Sequence, residues 1–227
     1  MQALGVISII LQVRIASTRL PRKLLLPLCG KSIFEHILTR LQAARTPSSI
    51  IVATTKDTVP HIDSIAERFG VPLYVGSEDD VLLRFVEAMR VHEVDTVIRA
   101  TGDNPLVSIP YIDGVVELHR GANADLTLYP LLPYGTGVEV IRGSVLEEIS
   151  GKTGDPFERE HITQYLYRHE SDYRIIRGVP EEALRRPDIR LTVDTEDDYR
   201  NMNEIYEALY RGKPISLHEV IRYLNNR

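Results

Sequence analysis

The stretch that decides the fold is residues 5–11, which read Gly-Val-Ile-Ser-Ile-Ile-Leu. A nearly continuous run of Val, Ile and Leu is typical of a strand that is buried on both faces of a parallel sheet. Apolar runs followed by helical patterns recur along the first half of the chain. They predict strands over 49–53, 71–75 and 96–100 and helices over 33–41, 62–69, 81–91 and 112–118. Successive strand–helix units of this kind predict a doubly wound, mostly parallel sheet with right-handed crossovers.

The second half of the chain has a less regular pattern. It predicts strands over 125–129, 137–141, 173–178 and 189–193 and helices over 144–149, 157–167, 196–210 and from 216 onward. Ser32 with Glu35, and Ser216 with Glu219, are capping-box patterns at the beginning of a helix. We therefore expect an α/β fold with a Rossmann-like, mostly parallel sheet and a mixed second half, in one domain over 1–227.

The composition excludes several classes of protein. Of 227 residues, 43% are hydrophobic and 26% are charged, which is typical of a folded globular protein. The net charge of −5 would repel nucleic acid, so a polyanionic ligand needs a local cluster of Lys and Arg. The single cysteine, Cys29, excludes an intramolecular disulfide. No basic run precedes the apolar stretch 1–11, which is also too short to span a bilayer, so we expect a cytoplasmic protein without a membrane partner.

The loop that follows the first strand is basic. Residues 12–23 read Gln-Val-Arg-Ile-Ala-Ser-Thr-Arg-Leu-Pro-Arg-Lys. Its cations are Arg14, Arg19, Arg22 and Lys23, and Ser17 adds a hydroxyl donor. Ligands of open α/β sheets bind beyond the carboxyl ends of the strands, where guanidinium groups can hold phosphate oxygens bidentately. The pattern is neither a Walker loop nor a dinucleotide fingerprint. It predicts a triphosphate-binding loop, and the alternative is a solvated basic loop.

Two carboxylates follow predicted strands. Asp103 lies just beyond the fourth strand, and Asp194 directly follows the last one. Because parallel strands end at the same edge of a sheet, we expect the two side chains to lie close together, where they could hold Mg²⁺ against phosphates. The alternative for Asp103 is a role in capping a turn. Thr195 and Asp198 are predicted to cap the next helix.

These motifs resemble, in order, those of the sugar-acid cytidylyltransferases, which include the 3-deoxy-manno-octulosonate and acylneuraminate enzymes. The matching stretches are Arg14 with 17–21 and Lys23, Arg99 with 101–103 and 105–106, and 193–195 with 197–198. Gln12 and the Glu-Arg-Glu-His stretch at 158–161 are most similar to the branch named after spore coat polysaccharide biosynthesis protein F. The resemblance covers nearly the whole chain. It implies a nucleotide-diphospho-sugar transferase fold, CTP and a sugar or sugar acid as substrates, Mg²⁺, and a homodimer.

The resemblance also implies roles for individual residues. The nucleotide site would comprise Gln12, Arg14, Ser17, Arg19, Lys23, Thr54, Ser77, Asp80 and Arg99. The acceptor would lie against Thr136, Glu139, Glu158 and His161. The catalytic residues would be Arg14, Lys23 and Asp103, and the metal ligands Asp103 and Asp194. The implied reaction is attack of an acceptor oxygen on the α-phosphorus of CTP, with release of pyrophosphate.

The sequence departs from the family pattern at two positions. Arg22 stands where glycine is usual before the loop lysine, and Gln12 replaces a proline. Arginine tolerates a positive φ poorly, so we expect the loop to differ locally. Two other functions stay open. A glycosyltransferase is disfavoured because neither Asp103 nor Asp194 stands in an Asp-x-Asp pattern, and a nucleotide-binding subunit without turnover is disfavoured because both carboxylates are present.

Overall fold

The computed structural model describes residues 5–227. Residues 1–4, the beginning of the stretch in which we expect no signal peptide, lie outside this range. The strands are β1 (Ile7–Gln12), β2 (Pro27–Leu28), β3 (Lys31–Ser32), β4 (Ser49–Thr54), β5 (Leu73–Val75), β6 (Thr96–Thr101), β7 (Leu126–Leu128), β8 (Glu139–Arg142) and β9 (Ile175–Arg177). The helices are α1 (Ile33–Leu41), α2 (Val59–Arg68), α3 (Val81–Val91), α4 (Ile109–Ala122), α5 (Gly143–Lys152), α6 (Pro156–Glu160), α7 (Gln164–Arg168), α8 (Glu196–Leu209) and α9 (Leu217–Asn225).

The main sheet has the strand order β5-β4-β1-β6-β8-β7-β9, and its first half is parallel as predicted. β1 pairs in parallel with both β4 and β6, and β4 pairs in parallel with β5. The central strand is buried on both faces, because Ile9 and Leu11 belong to one hydrophobic core and Ile10 to the other. The carboxyl ends of these strands therefore lie at one edge, where the basic loop begins.

The second half of the sheet is mixed, also as predicted. β8 pairs antiparallel with β6 and with β7, whereas β9 pairs in parallel with β7. In the β6–β8 pair Arg99 lies opposite Glu139. The reversed strand β8 thus places residues from the second half of the chain beside the strand that leads to Asp103.

Three predictions for individual elements are wrong. Residues 189–193 are not a strand: the backbone N–H groups of Leu191 and Val193 donate to loop carbonyls at Tyr134 and Asp103, each at 2.8 Å, instead of to a strand of the sheet. The predicted helix 157–167 is two helices, α6 and α7, because the backbone leaves the helical region at His161.

The third correction concerns α4, which extends well beyond the predicted 112–118. It begins after Ser108 with a proline in its first turn, a position that needs no backbone N–H. It runs past Gly121 to Ala122, and the residue after it, Asn123, adopts a left-handed φ of 49°.

The predicted helix caps are confirmed. Ser32 and Ser216 form capping boxes with Glu35 and Glu219. Thr195 and Asp198 form a third at the beginning of α8, as predicted. In the part of the chain that the structure describes, no helix has the length and apolar character needed to cross a membrane.

Candidate functional site

The basic loop is anchored to the sheet edge by two buried leucines, Leu20 and Leu24. The Ser17 hydroxyl accepts a hydrogen bond from the backbone N–H of Leu20 at 3.4 Å. Arg22 adopts φ 55° and ψ 27° just before a single 3-10 turn. Arg22 therefore adopts the left-handed conformation that is usual for glycine, although it carries a side chain.

Lys23 lies between the two strand-edge carboxylates. Its ammonium Nζ is 2.8 Å from Asp194 Oδ1 and 3.4 Å from Asp103 Oδ2. The Lys23 side chain is only 15% exposed, so this ammonium is partly withdrawn from water. Asp103 is oriented from the other side by Thr101, whose hydroxyl donates to Oδ1 at 2.6 Å. Residues from three distant parts of the sequence thus meet at one point.

Asp194 is the most heavily paired of these groups. Besides Lys23 it contacts Arg19 at 3.3 Å, and Arg190 donates to its Oδ2 at 2.6 Å. Burial acts to raise the pKa of Asp194, but the cations Lys23, Arg19 and Arg190 outweigh it and hold the pKa below its usual value. Asp194 is therefore ionised at neutral pH in a strongly cationic setting.

The segment that carries Asp194 is held by a loop that needs glycine. Gly135 has φ +89°, and a Cβ there would lie 2.8 Å from the backbone nitrogen of Thr192 and 2.9 Å from Asn104 Oδ1. Only a residue without a side chain lets the loop approach both segments. This contact, rather than a sheet pairing, places Asp194 near Asp103.

Arg14 points away from the carboxylate pair. Its Nη2 lies 3.1 Å from Oε1 of Glu160, the last residue of α6, and its side chain is 46% exposed. The cations of the basic loop therefore have different partners: Arg19 and Lys23 contact Asp194, whereas Arg14 contacts α6.

Four other residues expected in the nucleotide site fall into two groups. Thr54 Oγ1 and Gln12 Oε1 are buried and have no hydrogen-bond partner among residues 5–227. Buried oxygens of this kind usually find a partner, and these two have none among the described residues. Ser77 and Asp80 are instead engaged at the beginning of α3, where Asp80 accepts from Leu83 N at 2.8 Å and from Arg159 Nε at 2.6 Å.

Arg99 and Glu139, for which the sequence predicts different roles, contact each other. Arg99 Nη1 donates to Glu139 Oε2 at 2.7 Å, and the Tyr167 hydroxyl donates to Oε1 of the same carboxylate at 2.6 Å. Burial raises the pKa of Tyr167, and Glu139 raises it further, so the phenol stays a donor. Arg99 Nε is buried without a partner among the described residues. This cluster thus joins a residue expected at the nucleotide to one expected at the acceptor.

The other three residues expected at the acceptor differ in accessibility. Thr136 is fully buried, and its hydroxyl donates to the Pro133 carbonyl at 2.8 Å. Glu158 is 5% exposed and accepts from Arg168 at 2.6 Å and from Thr153. His161 is exposed, with its ring 4.6 Å from that of Phe157. Of these three side chains, only His161 is accessible to a substrate in this conformation.

Sequence reasoning did not assign a role to two cations, Arg190 and Arg84, and one anion, Glu160, of this region. Arg190 stands four residues before Asp194, and that spacing of opposite charges was an available signal. Arg84 is fully buried in α3, where it stands at the position of an apolar residue in a helical stripe with Val81 and Ala88. Glu160 lies in the stretch 158–161 that resembles the family branch, but nothing in the sequence pairs it with Arg14, which is remote along the chain.

Comparisons with known proteins show which family the chain is similar to. A family profile described as "Cytidylyltransferase" matches residues 8–217. The spore coat polysaccharide biosynthesis protein SpsF of Bacillus subtilis is 31% identical over 222 residues, which is 95% of this chain and 92% of SpsF. The 3-deoxy-manno-octulosonate cytidylyltransferase 1 of Actinobacillus pleuropneumoniae is 30% identical over 170 residues, 68% of this chain and 66% of that protein. A solved cytidylyltransferase from Leptospira borgpetersenii superposes with a TM-score of 0.91 at 26% identity, over 98% of this chain and 95% of that one.

Proposed function

The chain belongs to the cytidylyltransferase family, and from this premise we propose that it transfers CMP from CTP to a sugar or sugar acid in the synthesis of a glycan precursor, with release of pyrophosphate. The observation that carries the proposal is the position of Lys23 between Asp103 and Asp194 beside a basic loop. Such a site combines cations for a triphosphate with carboxylates for a metal ion. We take the whole chain, 1–227, as one catalytic unit.

In the proposed reaction the protein binds charge and orients the reactants. Arg14, Arg19 and Lys23 hold the triphosphate. An acceptor oxygen forms a bond to the α-phosphorus while the bond from that phosphorus to the bridging oxygen breaks opposite it. The leaving pyrophosphate is stabilised by the same cations, so the rate comes from positioning and charge neutralisation.

Asp103 and Asp194 are the proposed ligands of Mg²⁺. Carboxylate oxygens are the ligand atoms that Mg²⁺ prefers, and the proposal is supported by the ammonium of Lys23 lying between the two carboxylates, where a positive charge is favourable. Among residues 5–227 there is no group of three or more His, Cys, Asp or Glu suited to a metal. The remaining ligands would therefore be phosphate oxygens and water. When bound, the ion neutralises phosphate charge.

The nucleotide is tested by calorimetric titration with CTP, UTP, ATP and GTP in the presence of Mg²⁺. The expected result is that CTP binds most tightly. Tighter binding of a purine triphosphate would contradict the choice of CTP, and no binding of any triphosphate would contradict the function.

The reaction is tested by pyrophosphate release with CTP, Mg²⁺ and a panel of nonulosonic and octulosonic acids and neutral sugars. Asp103→Asn and Asp194→Asn should each abolish release, while CTP still binds through the basic loop. Pyrophosphate that forms only with an acceptor excludes a subunit without turnover, and near-normal release by either variant removes that residue from the metal site.

Two further parts of the proposal are a homodimer, which the family resemblance implies, and a cytoplasmic location, which is the expectation from the sequence. Sedimentation equilibrium tests the first, with a single species at twice the chain mass as the expected result. Fractionation of cells that express the full chain tests the second.

A further inference from the structure

Arg84 is a buried cation with unused hydrogen-bond donors. Its side chain is fully buried in α3, and Nη1 donates to the Ser77 carbonyl. Its other two nitrogens, Nε and Nη2, have no partner within residues 5–227. A buried charge whose donors lack acceptors is costly. A second conformation in which a carboxylate accepts from these donors would therefore be stabilised.

Glu160 lies close to the turn of α3 that carries Arg84, because its neighbour Arg159 contacts Asp80 at 2.6 Å and Asp80 stands one turn before Arg84. Burial lowers the pKa of Arg84, Glu160 opposes this more than any other charge, and Arg14 adds to the lowering. Glu160 itself contacts Arg14 at 3.1 Å. We call Arg14, Glu160 and Arg84 the Glu160 cluster: it holds two guanidinium groups and one carboxylate, and that carboxylate contacts only the exposed one.

Other carboxylates near Arg84 are less suited to it. Asp80 already accepts from Leu83 N and from Arg159 Nε, and Glu78 is exposed. The Arg159–Asp80 contact at 2.6 Å also ties α6 to the beginning of α3. This contact holds α6 beside the turn of α3 that carries Arg84, whichever partner Glu160 has.

We propose that Glu160 exchanges partners when a triphosphate binds: Arg14 leaves it for the phosphates, and Glu160 turns to the free donors of Arg84. This rests on the triphosphate binding of the proposed function. A triphosphate carries more negative charge than one carboxylate and can take the half-exposed Arg14. Glu160 then has no partner, and Arg84 offers it two buried N–H groups. Glu160 and Arg84 are thus positioning residues that make Arg14 available at no net loss of ion pairs.

A double-mutant cycle tests the exchange in the full chain. The affinities for CTP with Mg²⁺ and for inorganic tripolyphosphate are measured by calorimetry for Arg84→Gln, Glu160→Gln and the double variant. Arg84→Gln should weaken binding about tenfold when Glu160 is present and less than about twofold when it is replaced, since one charge-assisted pair is at stake. Arg84→Lys, which keeps the charge, should recover most of the loss. Arg90→Gln, an exposed arginine on the same helix, is the matched control and should have no effect.

A second cycle keeps the proposal testable if Arg84→Gln fails to fold. Arg14→Gln should cost more affinity in the Glu160→Gln background than in the wild type, because wild-type Arg14 must first leave Glu160. If Arg84→Gln, or Arg14→Gln, loses the same affinity whether Glu160 is present or replaced, the exchange of partners is overturned. The proposed function is not affected by that result, because the wild type still binds CTP. A wild type that binds neither ligand overturns the proposed function and the exchange with it.

Discussion

At the scale of single residues, Lys23 and Arg19 both contact Asp194 but differ in exposure, at 15% and 65% of the side chain. Lys23→Ala leaves two carboxylates facing each other without their shared ammonium. We expect it to lower the free energy of unfolding by about 2 kcal/mol and to weaken CTP binding by one to two orders of magnitude, roughly. Arg19→Ala should change stability by about 0.5 kcal/mol at most, because exposed ion pairs contribute little. Urea unfolding and calorimetry check both, and equal effects of the two substitutions would contradict the difference in their surroundings.

Arg22 is the other informative single residue, because its φ of 55° disfavours any side chain. Arg22→Gly and Arg22→Ala remove the same charge and differ only in tolerance of this conformation. The glycine variant should be the more stable of the two by about 1 kcal/mol. Thermal unfolding of the pair measures the difference, and an alanine variant of equal or higher stability would show that the backbone at 22 is not left-handed.

At the scale of elements, α4 packs on the sheet through a buried histidine. His119 is 5% exposed and its Nδ1 lies 3.0 Å from the hydroxyl of Thr127 in β7. Burial, and then Arg142, lower the pKa of His119 to about 4, against an opposing effect of Asp125. In the unfolded chain the same imidazole takes up a proton near its ordinary value of 6.5. The unfolded state therefore binds more protons between these values, and stability is lost as the pH falls from about 6.5 to 4.

The expected loss from this one group is about 3 kcal/mol between pH 7 and pH 4. His119→Gln keeps a polar side chain that does not titrate, so its unfolding free energy should fall by that much less over the same range. His218→Gln, at an exposed histidine, is the control for the exchange of histidine for glutamine itself. Parallel pH profiles of wild type and His119→Gln would contradict a neutral, buried His119.

At the scale of the whole molecule, Gly135 joins three parts of the chain: its own loop, Asn104 beyond β6, and the segment that leads to Asp194. Gly135→Ala places a Cβ against backbone at 2.8 Å and strains a φ of +89°. We expect a loss of roughly 2–4 kcal/mol in stability and at least about a tenfold loss in pyrophosphate release, since Asp194 is displaced. Gly151→Ala in α5 has open space around it and should instead raise stability by about 0.5–1 kcal/mol. Retention of full activity by Gly135→Ala would show that Asp194 is positioned by other contacts.

Local features of this protein were determined by the sequence alone. Strand β1, the parallel half of the sheet and the capping boxes follow from periodicity and from residues a few positions apart, which act on the backbone directly. The basic loop and Asp103 were identified for the same reason, since a charge cluster and a carboxylate beyond an apolar strand are visible within ten or so residues.

Only the tertiary structure decided which distant groups meet. Asp194 reaches Lys23 although no strand precedes it, because loop carbonyls at Tyr134 and Asp103 take the hydrogen bonds of its segment. Arg99 meets Glu139 because β8 runs antiparallel to β6, and Arg14 meets Glu160 because α6 packs on α3. These contacts depend on the packing of segments far apart in the chain, and that packing is set by the shape of whole elements rather than by any spacing along the sequence.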